Sequence, residues 1–259
     1  MAIQSKTIVF VHGAWMTPGC WDDFRKPFEA AGFTCHAPAW PTLDTGTAAA
    51  LRANPPKALG GMSLKTITDA YAAFIAALPE KPIVIGHSFG GLFVQLLIDR
   101  GITAGGVGIS PGPIAGVIAG PQSLAGAAPL VFRWNGWNRP YTLPWKSFVA
   151  NFANGAPPEL QKREYDRLVV PTPGKIFHQA ALNIGNKVDV KGRTVPLLIT
   201  AAERDRTVTP FVARQIYNIQ KKAPGRTDYL VFKDHSHMLL GEPGWEQVAA
   251  DVLGWIQAA

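Results

Sequence analysis

The sequence has few cysteines, since Cys20 and Cys35 are the only two among 259 residues. Two thiols cannot build a disulfide framework or supply a cysteine-based zinc site. Because structural disulfides belong mainly to oxidising compartments, this scarcity favours a reducing one, and we expect a cytoplasmic protein. The N-terminus lacks the longer apolar core and the cleavage site of a signal peptide, and its short β-branched run predicts a buried strand.

Charge is scarce as well. Charged residues make up 17% of the chain and hydrophobic residues 47%, a composition that excludes a disordered chain, a coiled coil and a collagen. Residues 101–132 carry no charged side chain and are numerous enough to cross a bilayer, but they contain four prolines and eight glycines. We therefore expect a compact globule without a membrane span.

Short apolar runs alternate with helical patterns along most of the chain. This alternation predicts an α/β fold with a mostly parallel sheet of about six strands flanked by helices. The predicted strands cover residues 7–11, 33–37, 83–86, 105–109, 196–201 and 229–232. Helical spacing predicts helices through residues 21–28, after Ser63, over 89–100, after Thr209 and after Pro243. Residues 38–62 hold four prolines and little periodicity, so we interpret them as a loop.

The alternation stops in the middle of the chain, where proline, glycine and aromatic residues dominate. We interpret residues 111–195 as an inserted, mainly helical cap, and residues 1–110 and 196–259 as the core that carries it. Six aromatic residues lie within nineteen positions of this insertion: Trp134, Trp137, Tyr141, Trp145, Phe148 and Phe152. These rings could form an apolar ligand pocket or the small core of the cap itself.

The sharpest motif is Gly86-His87-Ser88-Phe89-Gly90, which fits G-x-S-x-G between a predicted strand and a predicted helix. A serine raised on such a tight turn needs glycine two residues before and after it, because a Cβ there would collide with the strand and the helix. The serine hydroxyl then lies beside the helix N-terminus, whose amides favour the negative charge that develops during nucleophilic attack. The alternative is a glycine-rich turn with an incidental serine.

A serine nucleophile needs a base and an acid that orients the base. In proteins that carry the serine on a G-x-S-x-G turn between a strand and a helix, the chain order is nucleophile, acid, histidine. Asp205 follows the predicted strand 196–201 and precedes a helix, and we prefer it to Glu203 in the same loop. His235 and His237 both follow the last predicted strand. We favour His237 because it lies in the segment that leads into the last helix, and His235 stays open as an alternative.

The segment His12-Gly13-Ala14-Trp15 follows the first predicted strand. An acyl-transfer site needs two backbone N–H groups for the developing oxyanion, and the amides of Ala14 and Phe89 are the candidates. Neither a metal nor a cofactor is expected, because the His-x-His pair has no accompanying Cys or carboxylate cluster.

The segments VFVHGAW and GHSFGG, the aspartate after a strand and the histidine ahead of GEPGW together resemble the α/β-hydrolase superfamily. Within it they resemble the serine-nucleophile branch that includes plant methylesterases and hydroxynitrile lyases. The resemblance implies that Ser88, Asp205 and His237 form a catalytic triad, with the oxyanion hole at Ala14 and Phe89. Lyases of this branch typically have a lysine directly after the catalytic histidine, and Met238 stands there.

The resemblance implies a hydrolase that cleaves carboxylic esters or lactones through an acyl-enzyme. Two alternatives stay open: a lyase or perhydrolase on the same triad, and a catalytically silent ligand-binding receptor on the same fold. We hypothesise that at least one of Trp137, Trp145 and Phe148 contacts the substrate, and Trp15 is a further candidate for the pocket. The acyl or alcohol specificity and the oligomeric state, a homo-oligomer included, are not readable from the sequence.

The formal net charge of +7 is concentrated in the insertion. Residues 111–195 contain ten Lys and Arg against four acids, whereas the core contains fifteen against fourteen. With an ester-cleaving site beneath the cap, a nucleic-acid partner is not expected. We expect instead a small ester-like substrate, and the basic cap either draws anionic substrates toward the cleft or is a solvated surface.

Overall fold

A computed structural model describes residues 3–259, apart from the side chains of residues 124–127. Its centre is a six-stranded sheet in the order β2-β1-β3-β4-β7-β8, in which every neighbouring pair is parallel. The eight strands are β1 (Thr7–Val11), β2 (Thr34–His36), β3 (Ile83–His87), β4 (Gly105–Ile109), β5 (Pro140–Tyr141), β6 (Thr172–Pro173), β7 (Leu197–Ala202) and β8 (Thr227–Phe232). The predicted parallel sheet of six strands is confirmed.

Ten α-helices flank the sheet or lie in the insertion, within the described part of the chain. They are α1 (Lys26–Ala30), α2 (Ala48–Ala53), α3 (Leu64–Ala76), α4 (Phe89–Asp99), α5 (Pro121–Val131), α6 (Trp145–Ser147), α7 (Pro158–Leu168), α8 (Gly174–Ala181), α9 (Pro210–Gln220) and α10 (Trp245–Ala258). Short 3₁₀ turns occur at Pro18–Trp21, Lys57–Gly61 and Gly136–Asn138, and a π-helical turn at Phe148–Phe152. The helices predicted after Ser63, over 89–100 and after Thr209 are present at nearly the predicted bounds.

Helix α4 follows Ser88 and is buried on every side from Phe89 to Ile98. A helix buried on every side is largely apolar around its circumference, and Gln95 is the buried polar residue within this span. It packs on β3 and β4. Glycine allows this close approach, since a Cβ at Gly106 of β4 would lie 2.6 Å from the Val94 side chain. The helix therefore holds the Ser88 turn firmly at the edge of the sheet.

Two helix predictions differ from the structure. The stretch 38–62 is not one loop, because Thr47 caps helix α2 by accepting a hydrogen bond of 3.2 Å from the Ala50 amide. Alanine has the highest helix propensity of all residues, so the alanines of α2 favour a helix although prolines lie on either side. The helix predicted through 21–28 is divided into the turn at Pro18–Trp21 and helix α1.

The segment between β4 and β7 that the sequence analysis interprets as an insertion, residues 111–195, comprises α5–α8 and the antiparallel pair β5–β6. It contacts the rest of the chain through defined hydrogen bonds. The backbone of Trp15 accepts from Val170 N at 3.0 Å and donates to Thr172 Oγ1 at 2.6 Å. The Arg52 guanidinium on α2 donates to Val169 O at 2.6 Å. Helix α2, which the sequence did not predict, thus anchors the end of α7.

All six parallel strands end at one edge of the sheet. The strand pairs bring Val11 beside Gly86, His87 beside Ile109, and Ala202 beside Phe232. The loops that follow β1, β3, β7 and β8 therefore converge at this edge, where ligands bind in open α/β sheets.

Candidate active site

Ser88 lies on a strained turn between β3 and α4. Its backbone has a φ of +56°, which a side-chain-bearing residue rarely adopts. A Cβ at Gly86 would overlap the backbone oxygen of Gly90, and a Cβ at Gly90 would overlap that of Val11. Only glycine fits at either position, which is the steric requirement expected of the motif.

Asp205 and His237 form a direct hydrogen bond in the protein interior. His237 Nδ1 and Asp205 Oδ2 lie 2.6 Å apart, and neither side chain has exposed area. The other carboxylate oxygen, Oδ1, accepts from the amides of Thr207 and Val208, both at 2.8 Å. A carboxylate so bonded has its orientation fixed, and it holds the imidazole proton on Nδ1.

His235 and Glu203, the alternatives to His237 and Asp205, make other contacts. His235 Nδ1 lies 3.1 Å from Glu242 Oε1, and Glu203 accepts a hydrogen bond of 3.1 Å from the Asp234 amide at the surface. The exposed ion pair of this loop joins Arg204 to Asp234. The geometry therefore brings together Asp205 and His237, and leaves His235 and Glu203 outside.

His237 Nε2 is buried and has no hydrogen-bond partner among the described residues. With the proton on Nδ1, this nitrogen carries a free lone pair. The Ser88 hydroxyl does not meet hydrogen-bonding geometry with it, as is common in the free form of such sites. The Phe152 ring meets the His237 ring edge-on at 4.7 Å between centroids, which limits the movement of the imidazole.

His87 contacts both the backbone and the ring of His237. Its Nε2 donates to the backbone oxygen of His237 at 2.9 Å, and the two rings lie 4.5 Å apart. Burial, and then the nearby His237, hold the pKa of His87 well below its usual value. His87 is therefore neutral and adds no charge that would oppose proton uptake by His237.

The loop after β1 lies against Ser88. A Cβ at Gly13 would lie 2.8 Å from the Ser88 Cβ, so the backbone directly before Ala14 packs against the serine. The amide of Phe89, the first residue of α4, has no partner within its helix. Neither amide makes a hydrogen bond to another described residue. Two free donors thus flank the serine.

His12 fixes that loop. Its Nε2 accepts from the Trp40 amide at 3.1 Å, so Nδ1 carries the proton and donates to Gly13 O at 2.9 Å. Burial lowers the pKa of His12 to about 4, which keeps the ring neutral. Sequence reasoning placed His12 in the motif but missed this positioning role.

A cavity of about 540 Å³ opens over Ser88. Its lining is mainly apolar and includes Trp15, Phe152 from the aromatic cluster of the sequence analysis, and three rings that the sequence did not single out for it: Phe89, Phe132 and Phe177. Arg206 is the single charged side chain among the described lining residues. Arg206, Thr207 and Val208 directly follow Asp205, so their position after a strand end could have indicated them.

The other predicted pocket residues lie outside the cavity lining. Trp137 packs against His178 with ring centroids 5.5 Å apart, Trp145 contacts Tyr165, and Phe148 is fully buried between Phe152 and Tyr165. Tyr165 on α7 is the aromatic partner of both Trp145 and Phe148. Of the three, Phe148 is a core residue, whereas Trp137 is partly buried and Trp145 is 39% exposed.

Over residues 3–259, as far as their side chains are described, no group of three His, Cys, Asp or Glu is arranged to hold a metal ion. No helix in that range is long and apolar enough to cross a membrane.

Comparison with known proteins identifies the class to which this fold and site belong. The family model described as the alpha/beta hydrolase family matches residues 8–251, so the chain belongs to that family. Norfluorocurarine synthase 2 from Strychnos sp is 32% identical over 98 residues, a segment covering 37% of this chain and 34% of that protein. The chain thus matches about a third of the length of that relative.

Solved structures share the fold along nearly the whole chain. The Paleococcus ferrophilus monoacylglycerol lipase superposes with a TM-score of 0.66 at 22% identity, covering 97% of this chain and 94% of that one. Polyneuridine aldehyde esterase superposes with a TM-score of 0.67 at 16% identity, covering 97% and 99%. These similarities establish the α/β-hydrolase architecture.

Proposed function

We propose that the protein is a serine hydrolase that cleaves carboxylic esters through an acyl-enzyme intermediate. The observation that carries the proposal is the buried 2.6 Å bond between His237 and Asp205, at the sheet edge where Ser88 lies on its strained turn. Membership in the alpha/beta hydrolase family supports it. The region 111–195 acts as the cap over this site and supplies much of the cavity lining.

In the first step the Ser88 hydroxyl oxygen attacks the ester carbonyl carbon, and His237 Nε2 takes the hydroxyl proton. Asp205 holds the imidazole tautomer and stabilises the imidazolium that forms. The carbonyl oxygen becomes an oxyanion and accepts hydrogen bonds from the amides of Ala14 and Phe89. Collapse of this intermediate breaks the bond to the alcohol, which leaves with the proton from His237.

In the second step a water molecule attacks the acyl group on Ser88 and gives a proton to His237. The second oxyanion uses the same two amides. When it collapses, the carboxylic acid leaves and the proton returns to the Ser88 oxygen. Because His237 Nε2 has no other partner among the described residues, no competing hydrogen bond must break for either proton transfer.

The substrate is a small ester or lactone with an apolar portion. Trp15 and Phe177 stack with centroids 4.8 Å apart, and Phe89 meets Phe177 at the same distance, so the wall of the cavity beside Ser88 is aromatic. Such a wall favours burial of an apolar acyl or alcohol group and offers few polar partners. Specificity then depends on the length and width of that group.

Covalent labelling tests the proposal. An organophosphate should label Ser88 in the native protein, and a p-nitrophenyl ester should be hydrolysed with an initial burst. Ser88→Ala should lose labelling and lower kcat by about 10³-fold or more without a change in melting temperature, because only a hydroxyl is removed. A protein that binds esters without labelling would be a receptor, and cleavage of a cyanohydrin but no ester would indicate a lyase.

A further inference from the structure

Two large aromatic side chains project from the insertion into solvent. Phe132 is 86% exposed and Trp134 is 90% exposed. Single exposed apolar residues are ordinary. Two exposed rings of this size, only two residues apart, form an apolar patch of the kind that marks an interaction site. Phe132 also lines the cavity over Ser88, so the patch is continuous with the cavity mouth.

The turn that carries these rings is well tied to its neighbours. The Arg133 guanidinium donates to Pro140 O at 2.9 Å, and His178 on α8 bonds Val131 O at 3.1 Å. Gly136 packs so closely that a Cβ there would lie 2.9 Å from Leu130 O. The rings are therefore presented by a fixed turn.

Basic residues accompany the rings along the chain. Arg133 lies between them in the sequence, and Arg139 and Lys146 are exposed residues that follow. Lys175 directly follows Gly174, whose amide donates to Arg139 O at 3.1 Å, and its ammonium lies 6.0 Å from the Trp137 ring centroid. Among the described residues, no carboxylate lies within 4 Å of any of these four cations. The sequence has no acid between Arg100 and Pro158. We call this set the rim patch: Phe132, Arg133, Trp134, Arg139, Lys146 and Lys175.

We propose that the rim patch docks on a lipid surface that carries anionic headgroups. Aromatic rings insert at the boundary between headgroups and acyl chains, and Lys and Arg beside them attract the anionic surface. A second copy of this chain fits less well, because its own rim patch would bring four more cations against these four. The open apolar cavity behind Phe132 also matches a lipid surface, since an acyl chain leaving the surface would meet an apolar wall.

Docking does not depend on the proposed ester hydrolysis, so it is tested by binding alone. The full chain is mixed with vesicles of phosphatidylcholine, or of phosphatidylcholine with about 30 mol% phosphatidylserine, and the bound fraction is measured by sedimentation. We expect binding to the anionic vesicles that weakens with added salt, and little binding to phosphatidylcholine alone. The double variant Phe132→Ser with Trp134→Ser should bind about 10-fold more weakly, as should Arg139→Glu with Lys146→Glu.

Val231→Ser is the matched control, because Val231 is a half-exposed apolar residue on β8 of the core, outside the rim patch. It should bind vesicles like the native protein. Melting temperatures show that each variant is folded. The proposal is overturned if the native protein does not bind anionic vesicles, or if the aromatic double variant binds them as well as the native protein does. It is also overturned if the native protein forms a dimer in solution that this double variant abolishes.

Discussion

His237 and Asp205 share a buried hydrogen bond of 2.6 Å between Nδ1 and Oδ2, and the second oxygen of Asp205 is held by two amides of its own loop. These three hydrogen bonds hold the carboxylate in one orientation. An acceptor at this position decides which imidazole nitrogen carries the proton, and hence whether Nε2 can act as a base.

Asp205→Asn is expected to lower kcat for ester hydrolysis by about 10⁴-fold, because the amide can donate to Nδ1 and favour the wrong tautomer. KM should change little, since Asp205 lies outside the cavity lining. Steady-state kinetics measure both. Glu203→Gln is the control from the same loop, because the exposed Glu203 carboxylate accepts a hydrogen bond from the Asp234 amide and does not contact His237. Equal kcat in Asp205→Asn and the native protein would remove Asp205 from the site.

Glu242 organises the segment that carries His237. One carboxylate oxygen accepts from the Ser236 amide at 2.6 Å and lies 3.1 Å from His235 Nδ1, and the other accepts from the Ser236 hydroxyl at 2.6 Å. Glu242 is buried, so these bonds act in a low-dielectric interior where they are strong.

Glu242→Gln is expected to lower kcat about 10-fold and the free energy of unfolding by about 1–3 kcal/mol, because one donor is left facing an amide nitrogen. Urea unfolding and steady-state kinetics measure the two effects. Glu246→Gln, an exposed acid in the first turn of α10, is the control. A purely structural role would lower stability but leave kcat and its pH profile unchanged in the folded fraction.

The residues proposed for catalysis were easier to locate from the sequence than the pocket, for a physical reason. Ser88, Asp205 and His237 each follow a parallel strand, and the carboxyl ends of parallel strands must meet at one edge. The cavity lining depends on how the insertion folds over that edge. Phe177 reaches the cavity from α8, whereas Phe148 turns toward Tyr165 on α7. No local spacing distinguishes these two rings, because the choice is made by packing between distant segments.

Gly13 keeps the loop after β1 close to Ser88. A side chain there would collide with the Ser88 Cβ and with His87 O, at 2.8 and 2.9 Å. Gly13→Ala should therefore push the Ala14 amide away from the oxyanion and lower kcat by about 10²-fold or more. Gly254→Ala is the control, because nothing lies within 4 Å of the added methyl group in α10. Native kcat in Gly13→Ala would exclude this loop from oxyanion binding.

His12 makes stability depend on pH. Its folded pKa of about 4 lies below the ordinary value of 6.5, so unfolding takes up a proton between these two values. The stability is therefore full above pH 6.5 and falls as the pH drops toward 4, by about 3 kcal/mol from this residue. Buried His87 contributes in the same direction. The free energy of unfolding, measured with urea from pH 7 to pH 4.5, should decline less steeply for His12→Gln than for the native protein. Equal declines in the two proteins would contradict this assignment.

Arg206 is the one charged side chain among the described residues that line the cavity, and we expect it to favour anionic substrates. Its guanidinium donates to Ala150 O at 3.1 Å and stays exposed, so it can still attract a carboxylate at the mouth. Arg206→Gln should lower kcat/KM for a carboxylate-bearing ester by about 3–10-fold and leave a matched neutral ester unchanged. Arg204→Gln is the control, because that guanidinium is paired with Asp234. In the native protein, added salt should reduce kcat/KM for the anionic ester only. The same salt dependence for both esters would mean that charge near the cavity takes no part in substrate selection.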